Sequence, residues 1–151
     1  MLAPGKKAPP FSLASDAGEP VTLAGLKGKK VVLYFYPKDD TTGCTVEACE
    51  FRDHWPAVRK AGAVVLGVSP DPVASHARFR KKFDLPFPLL ADEGHAVAER
   101  YGVWGEKSMY GRKYFGIHRT TFVIDEQGTI VKIFAKVKPK GHAAEVLEAV
   151  R

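Results

Sequence analysis

The chain has two thiols, Cys44 and Cys49, and both fall in the stretch "FYPKDDTTGCTVEACE". A thiolate is a nucleophile and a metal ligand, so thiol chemistry is the first chemistry this sequence offers. The spacing is C-x4-C, not the C-x-x-C of a dithiol redox motif. Zinc wants four nitrogen or sulfur ligands, and the histidine nearest to the pair is His54, so a metal site is not expected. A structural disulfide closing so small a loop would constrain the unfolded chain little. Two readings of Cys44 remain open on the residues alone: an inert cysteine packed as a small hydrophobe, or a reactive thiol.

The elements around it favour reactivity. "VVLYFY" (Val31 to Tyr36) is a continuous apolar, β-rich run, as in a strand buried on both faces, and Pro37 ends it. A helix follows, with Thr41 or Thr42 as N-cap, because a hydroxyl can accept a free backbone N–H. Cys44 then lies in the first turn, where unpaired N–H groups and the positive end of the helix dipole favour an anion. Cys44, Ala48, Phe51, Trp55 and Val58 form one apolar stripe at helical spacing. Cys44 is thus expected at the edge of the core. Cys49 is turned away from it by roughly 140° on a regular helix. Pro56 cannot donate to the carbonyl of Arg52, so a kink or break is expected there.

The remaining punctuation is that of one α/β domain over residues 1–151. "AVVLGVS" (Ala63 to Ser69) and "TTFVID" (Thr120 to Asp125) read as further buried strands. The turn "DEQG" leads from the latter into "TIVKIFAKV", an antiparallel hairpin. Helices are expected over about Thr42 to Lys60, Pro72 to Phe83, Gly94 to Tyr101 and Gly141 to Val150. "FSL" and "VTL" suit a small N-terminal hairpin. This order predicts an α/β fold with a mixed central sheet and helices on both faces.

Composition excludes several classes. Apolar residues are 45% and charged residues 26% of the chain, ordinary for a globular protein. No segment approaches the roughly 20 apolar residues of a membrane span. The start, "MLAPGKKAPPF", lacks the apolar core of a signal peptide, so a cytoplasmic location is expected. Net charge is +6. The basic residues fall in short clusters, Lys27 to Lys30, Arg80 to Lys82 and Lys136 to Lys140, not interleaved with aromatics, so no nucleic-acid partner is expected.

"PKDDTTGC", Pro37-x-x-x-Thr41-x-x-Cys44, matches the active-site motif of the peroxiredoxins. Together with "GKKAPPFSL" and "YGVWGEKSMYGRKYFGIHRTTFVID" (Tyr101 to Asp125), it resembles the peroxiredoxin Q, or bacterioferritin comigratory protein, subgroup. The resemblance covers nearly the whole chain. It implies a thioredoxin-like fold and a thiol peroxidase of the atypical 2-Cys type. Cys44 matches the peroxidatic cysteine and Cys49 the resolving cysteine, while Thr41, Pro37 and Arg119 match supporting residues. Glu47 resembles a family residue as well. A supporting structural role is expected for it, since an acid beside a thiolate disfavours the anion. The implied partners are a hydroperoxide and a thioredoxin-type dithiol reductant, with no cofactor and no metal, in a monomer or weak homodimer. The rival in enzyme chemistry, a thioredoxin-like disulfide oxidoreductase, would need C-x-x-C and a proline where this chain has Arg119 in "HRTT". A basic binding module with incidental cysteines is the rival outside enzyme chemistry.

Overall fold

The computed structural model describes residues 1–151. Its frame is a seven-stranded mixed sheet in the order β2-β1-β5-β4-β3-β8-β9. The strands are β1 (Ser12–Ser15), β2 (Val21–Thr22), β3 (Lys30–Phe35), β4 (Ala63–Ser69), β5 (Leu89–Ala91), β8 (Thr120–Ile124) and β9 (Ile130–Phe134). A separate two-stranded hairpin is formed by β6 (Trp104–Met109) and β7 (Arg112–Ile117). The helices are α1 (Thr42–Asp53), α2 (Trp55–Lys60), α3 (Val73–Phe83), α4 (Ala96–Arg100) and α5 (His142–Val150).

β3 lies in the interior of the sheet, parallel to β4 and antiparallel to β8. Side chains alternate across a strand, so the continuous apolar run feeds two cores. Val32, Tyr34 and Tyr36 join Cys44, Ala48 and Phe51 of α1, Val58 of α2, Phe79 of α3 and Val146 and Val150 of α5. Val31, Leu33 and Phe35 join Ala8 and Phe11 of the N-terminal segment and Val97 and Ala98 of α4 on the other face. The mixed sheet with helices on both faces is as expected, and so is the small antiparallel pairing of β1 with β2.

The break expected near Pro56 is present: the helical stretch over Thr42 to Lys60 is two helices, separated at His54. Pro56 falls in the first turn of α2, where its missing N–H has no partner to lose. The apolar stripe nevertheless carries across the break, since Trp55 and Val58 still pack on the same core. Two other elements differ from the sequence reading. β5 was not anticipated, because "LLA" is too short to show a period. Nor was the β6–β7 hairpin. Its turn is Tyr110–Gly111 with φ of 52° and 77°, a pair of positive values that a hairpin turn usually draws from Asn-Gly.

Register places the site. β3 pairs with β8 so that Phe35 faces Thr120. Arg119, one residue before Thr120, therefore stands beside the chain as it leaves β3 through Tyr36 and Pro37 towards α1.

Candidate active site

Pro37 and Thr41 bracket the turn that carries the chain from β3 into α1. Thr41 occupies the N-cap position with extended backbone (φ −93°, ψ 159°), but its side chain caps no N–H. Its hydroxyl instead donates to the carbonyl of Lys38 at 2.9 Å. The expected side-chain cap is thus replaced by a turn-closing bond, and no hydrogen bond joins Thr41 to Cys44. The hydroxyl oxygen keeps lone pairs that can accept from a protonated ligand.

Cys44 lies in the first turn of α1 and is 1% exposed. Arg119 reaches it from the opposite element, with Nη2 at 3.2 Å from Sγ. The other terminal nitrogen, Nη1, donates to Oε1 of Glu47 at 2.6 Å. Cys44, Glu47, Ala48 and Phe51 are the buried face of α1, so one guanidinium meets two groups one helical turn apart. The Arg119 side chain is 15% exposed and that of Glu47 is fully buried.

The charges follow from that burial. Burial pushes the Glu47 carboxyl up to about 7, although the Arg119 guanidinium works against the rise. Its second oxygen, Oε2, is buried and has no partner. Burial disfavours the charge on Arg119, but Glu47 and Cys44 outweigh it and hold the guanidinium above its ordinary value. Beneath α1, Tyr34 stacks on Phe51 with ring centroids 4.9 Å apart. Its buried hydroxyl is held well above the ordinary range, first by burial and then by the charges of Glu47 and Cys44.

Two residues that the sequence reading passed over bear on the site, Gly43 by contact and Lys107 by its charge. A Cβ on Gly43 would stand 3.3 Å from Nη2 of Arg119 and 3.4 Å from Cγ of Pro139, so the guanidinium uses the space that glycine leaves. A glycine inside a helical pattern is a legible cue for such an approach. Lys107 of β6 donates to the carbonyl of Ile117 at 2.8 Å. Its ammonium is lowered by burial and by Arg119, and drawn back up by Cys44. Nothing in the sequence marks it, since the hairpin that brings it there was not legible.

Cys49 is not part of this constellation. It is a free, half-buried thiol on the same unbroken helix as free Cys44. Burial pushes its thiol up. The residues beside it tie α1 to its neighbours. Oε1 of Glu50 accepts from the N–H of Gly141 at 2.8 Å, and Nη1 of Arg52 donates to the carbonyl of Phe83 at 2.7 Å.

The arrangement can hold an anionic sulfur against a fixed cation in a nearly dry site, with guanidinium N–H groups left over for a second ligand. A model of the AhpC/TSA family matches residues 4–133. Peroxiredoxin Bcp of Bacillus subtilis is 49% identical over 147 residues, covering 97% of this chain and 94% of the relative. The structure of a cysteine-to-serine mutant of PrxQ from Xylella fastidiosa superposes with a TM-score of 0.94 at 36% identity, covering 99% and 96% of the two chains. The Xanthomonas campestris bacterioferritin comigratory protein, solved for its alkyl peroxide reduction activity, superposes with a TM-score of 0.88 at 42% identity, covering 93% and 89%. No helix of the chain is long and apolar enough to cross a membrane.

Proposed function

The chain belongs to the AhpC/TSA family of peroxiredoxins, and on that premise we propose that Cys44 is its peroxidatic cysteine, Cys49 its resolving cysteine, and Arg119, Thr41 and Pro37 the residues that arrange the attack. The protein is a thiol-dependent peroxidase. The observation that carries the residue assignment is the 3.2 Å contact between Sγ of Cys44 and Nη2 of Arg119 at the start of α1.

The thiolate of Cys44 attacks the terminal oxygen of a hydroperoxide. An S–O bond forms, the O–O bond breaks, and its electron pair leaves on the other oxygen, which takes a proton to become water or an alcohol. Sulfur loses two electrons and becomes a sulfenic acid. During the step negative charge moves from sulfur to the leaving oxygen. Arg119 has five N–H donors, and those not spent on Cys44 and Glu47 can follow the charge across. Its fixed fork costs little reorganisation as the bond breaks. Thr41 accepts from the hydroperoxide O–H through its free lone pairs, and Pro37 fixes the turn that presents both.

Cys49 then attacks the sulfenic sulfur and displaces its oxygen as water, giving a Cys44–Cys49 disulfide. On a regular helix these Cα atoms stand on the order of 8–9 Å apart, whereas a disulfide needs about 7 Å or less. α1 therefore opens between the two steps. The break at His54 limits how far the opening spreads. A thioredoxin-type dithiol restores both thiols by exchange. The alkyl peroxide reduction named for the Xanthomonas protein extends the substrates to organic hydroperoxides. The protein acts in the cytoplasm as a monomer or weak homodimer, away from membranes and nucleic acid. Peroxide consumption coupled to thioredoxin tests the assignment: it should vanish in Cys44→Ser, and persistence there would remove Cys44 from the chemistry.

A further inference from the structure

The turn between β3 and α1 holds a second buried polar cluster that the chemistry at Cys44 does not use. Asp39 stands five residues before Cys44, and its side chain is 4% exposed. Its Oδ1 accepts from the Tyr36 hydroxyl at 2.5 Å. Its Oδ2 accepts from the Ser75 hydroxyl at 2.7 Å and lies 2.7 Å from Nδ1 of His76. Its backbone N–H donates to Oδ2 of Asp71 at 2.8 Å. Ser75 and His76 belong to α3, so one carboxylate ties the turn to that helix.

His76 is fully buried, and its Nε2 is 2.9 Å from the carbonyl oxygen of Leu90. A carbonyl oxygen only accepts, so Nε2 carries a proton. Burial works against charge on Asp39, but the hydrogen bonds from His76, Tyr36 and Ser75 hold its carboxyl below the ordinary value. Asp39 therefore accepts through both oxygens, and the imidazole spans from its Oδ2 to the Leu90 carbonyl. Ligand atoms of Asp39, Asp71 and His76 lie within 4.8 Å of one another. The hydrogen bonds of Asp39 and His76 already occupy their ligand atoms.

The next residue is strained. Asp40 has φ 57°, a left-handed backbone that disfavours side chains. Such a conformation persists where its surroundings over-determine it. The clamp on Asp39 immediately precedes it, and Thr41, the N-cap of α1, immediately follows. The register of β8 fixes Arg119 independently, so the entry of the chain into α1 decides how Cys44 meets it.

Resting on the reading of Cys44 as the attacking thiol, we propose that Asp39, clamped to α3 by His76, is a positioning residue for peroxide attack: it fixes the chain's entry into α1, keeps Cys44 in register with Arg119, and stays closed while the rest of α1 opens for Cys49.

The test is the rate of single-turnover peroxide attack in a Cys49→Ser protein, which records the first step alone, taken below the melting temperature of every variant. Asp39→Asn should slow attack by about 10- to 100-fold, the cost of a small misplacement at a reacting centre. His76→Gln should do the same. The double variant should be no slower than the slower single, because the two act as a unit. Tyr36→Phe keeps the ring in the core and removes one donor to Asp39, so it folds and should lose rate in the same direction, by less. Lys82→Ala removes the exposed pair with Asp40, 2.7 Å long, and a contact with the Phe83 ring, and should leave the rate unchanged. In the protein that retains Cys49, disulfide formation after attack should keep its rate in the Tyr36 and Asp39 variants, which a general loosening of the fold would not allow. An unchanged rate of attack in folded Asp39→Asn or Tyr36→Phe overturns the proposal. So does an equal loss in Lys82→Ala. Turnover that survives Cys44→Ser instead overturns the reading beneath it.

Discussion

Cys44 and Glu47 stand one helical turn apart on α1 and share a single guanidinium. Arg119 places Nη2 3.2 Å from the sulfur and Nη1 2.6 Å from the carboxylate. The cation is thereby held from one side by a buried acid, and three of its five N–H donors remain for a further ligand. Both anions compete for the same charge, and that competition sets much of what can be measured.

Replacing Arg119 with Met should slow peroxide attack by roughly 10²- to 10³-fold, the usual loss when one preorganised donor to developing charge is removed. Arg119→Lys should recover little of it, since a single ammonium cannot serve sulfur and carboxylate together. Stopped-flow consumption of peroxide by the reduced protein reports both. A Met variant that reacts at the parent rate would remove Arg119 from the site.

Glu47 should give the reaction a pH dependence of its own. Its carboxyl is raised by burial from 4.5 to about 7, so the folded state binds this proton more tightly than the unfolded chain does. Its contribution to stability is therefore complete below about pH 4.5 and is lost as pH rises through about 7. Glu47→Gln should flatten the fall in denaturant midpoint between those values. It should also remove an inflection near pH 7 from the rate of peroxide attack. Identical profiles in parent and variant would show that Glu47 does not titrate in this window.

Cys49→Ser should reduce one equivalent of peroxide at the parent rate and then stall. With no resolving thiol, the sulfenic acid on Cys44 persists and is oxidised further by excess peroxide. Mass spectrometry after a peroxide titration should find two or three added oxygens on Cys44. Full thioredoxin-coupled turnover by this variant would remove Cys49 from the cycle.

Gly43→Ala separates stability from reactivity. Alanine favours a helix over glycine by up to about 1 kcal/mol, so the melting temperature should hold or rise. The added methyl would press on Nη2 of Arg119, 3.3 Å away, and attack should slow. A faster or unchanged rate would mean that the guanidinium moves aside without cost.

Much of this was legible in the sequence where local pattern and tertiary role agree. The buried strand through Val31 and Phe35, the hairpin after Thr120, the first-turn place of Cys44 and the interruption at Pro56 all rest on neighbouring residues. The β6–β7 hairpin was not legible, because its strands are largely exposed and Tyr110 takes a left-handed position normally signalled by Asn or Gly. The meeting of Arg119 with Cys44 spans 75 positions and depends on strand register. Motif resemblance named Arg119, whereas periodicity could not. Glu47 was expected to play a supporting structural role, because an acid beside a bare thiolate disfavours the anion; that argument changes once a guanidinium lies between them. The hydroxyl of Thr41 was expected to cap a helix N–H, and only the turn geometry shows that it donates to the carbonyl of Lys38 instead.

The central claim is that α1 holds the attack site when intact and opens to let Cys49 reach Cys44. Amide hydrogen exchange on the reduced protein, and on the protein oxidised by one equivalent of peroxide, tests it most directly. The disulfide form should lose protection across Thr42–Asp53 while β3, Lys30–Phe35, stays protected. Equal protection of α1 in the two forms, with a Cys44–Cys49 disulfide confirmed by mass spectrometry, would contradict the account.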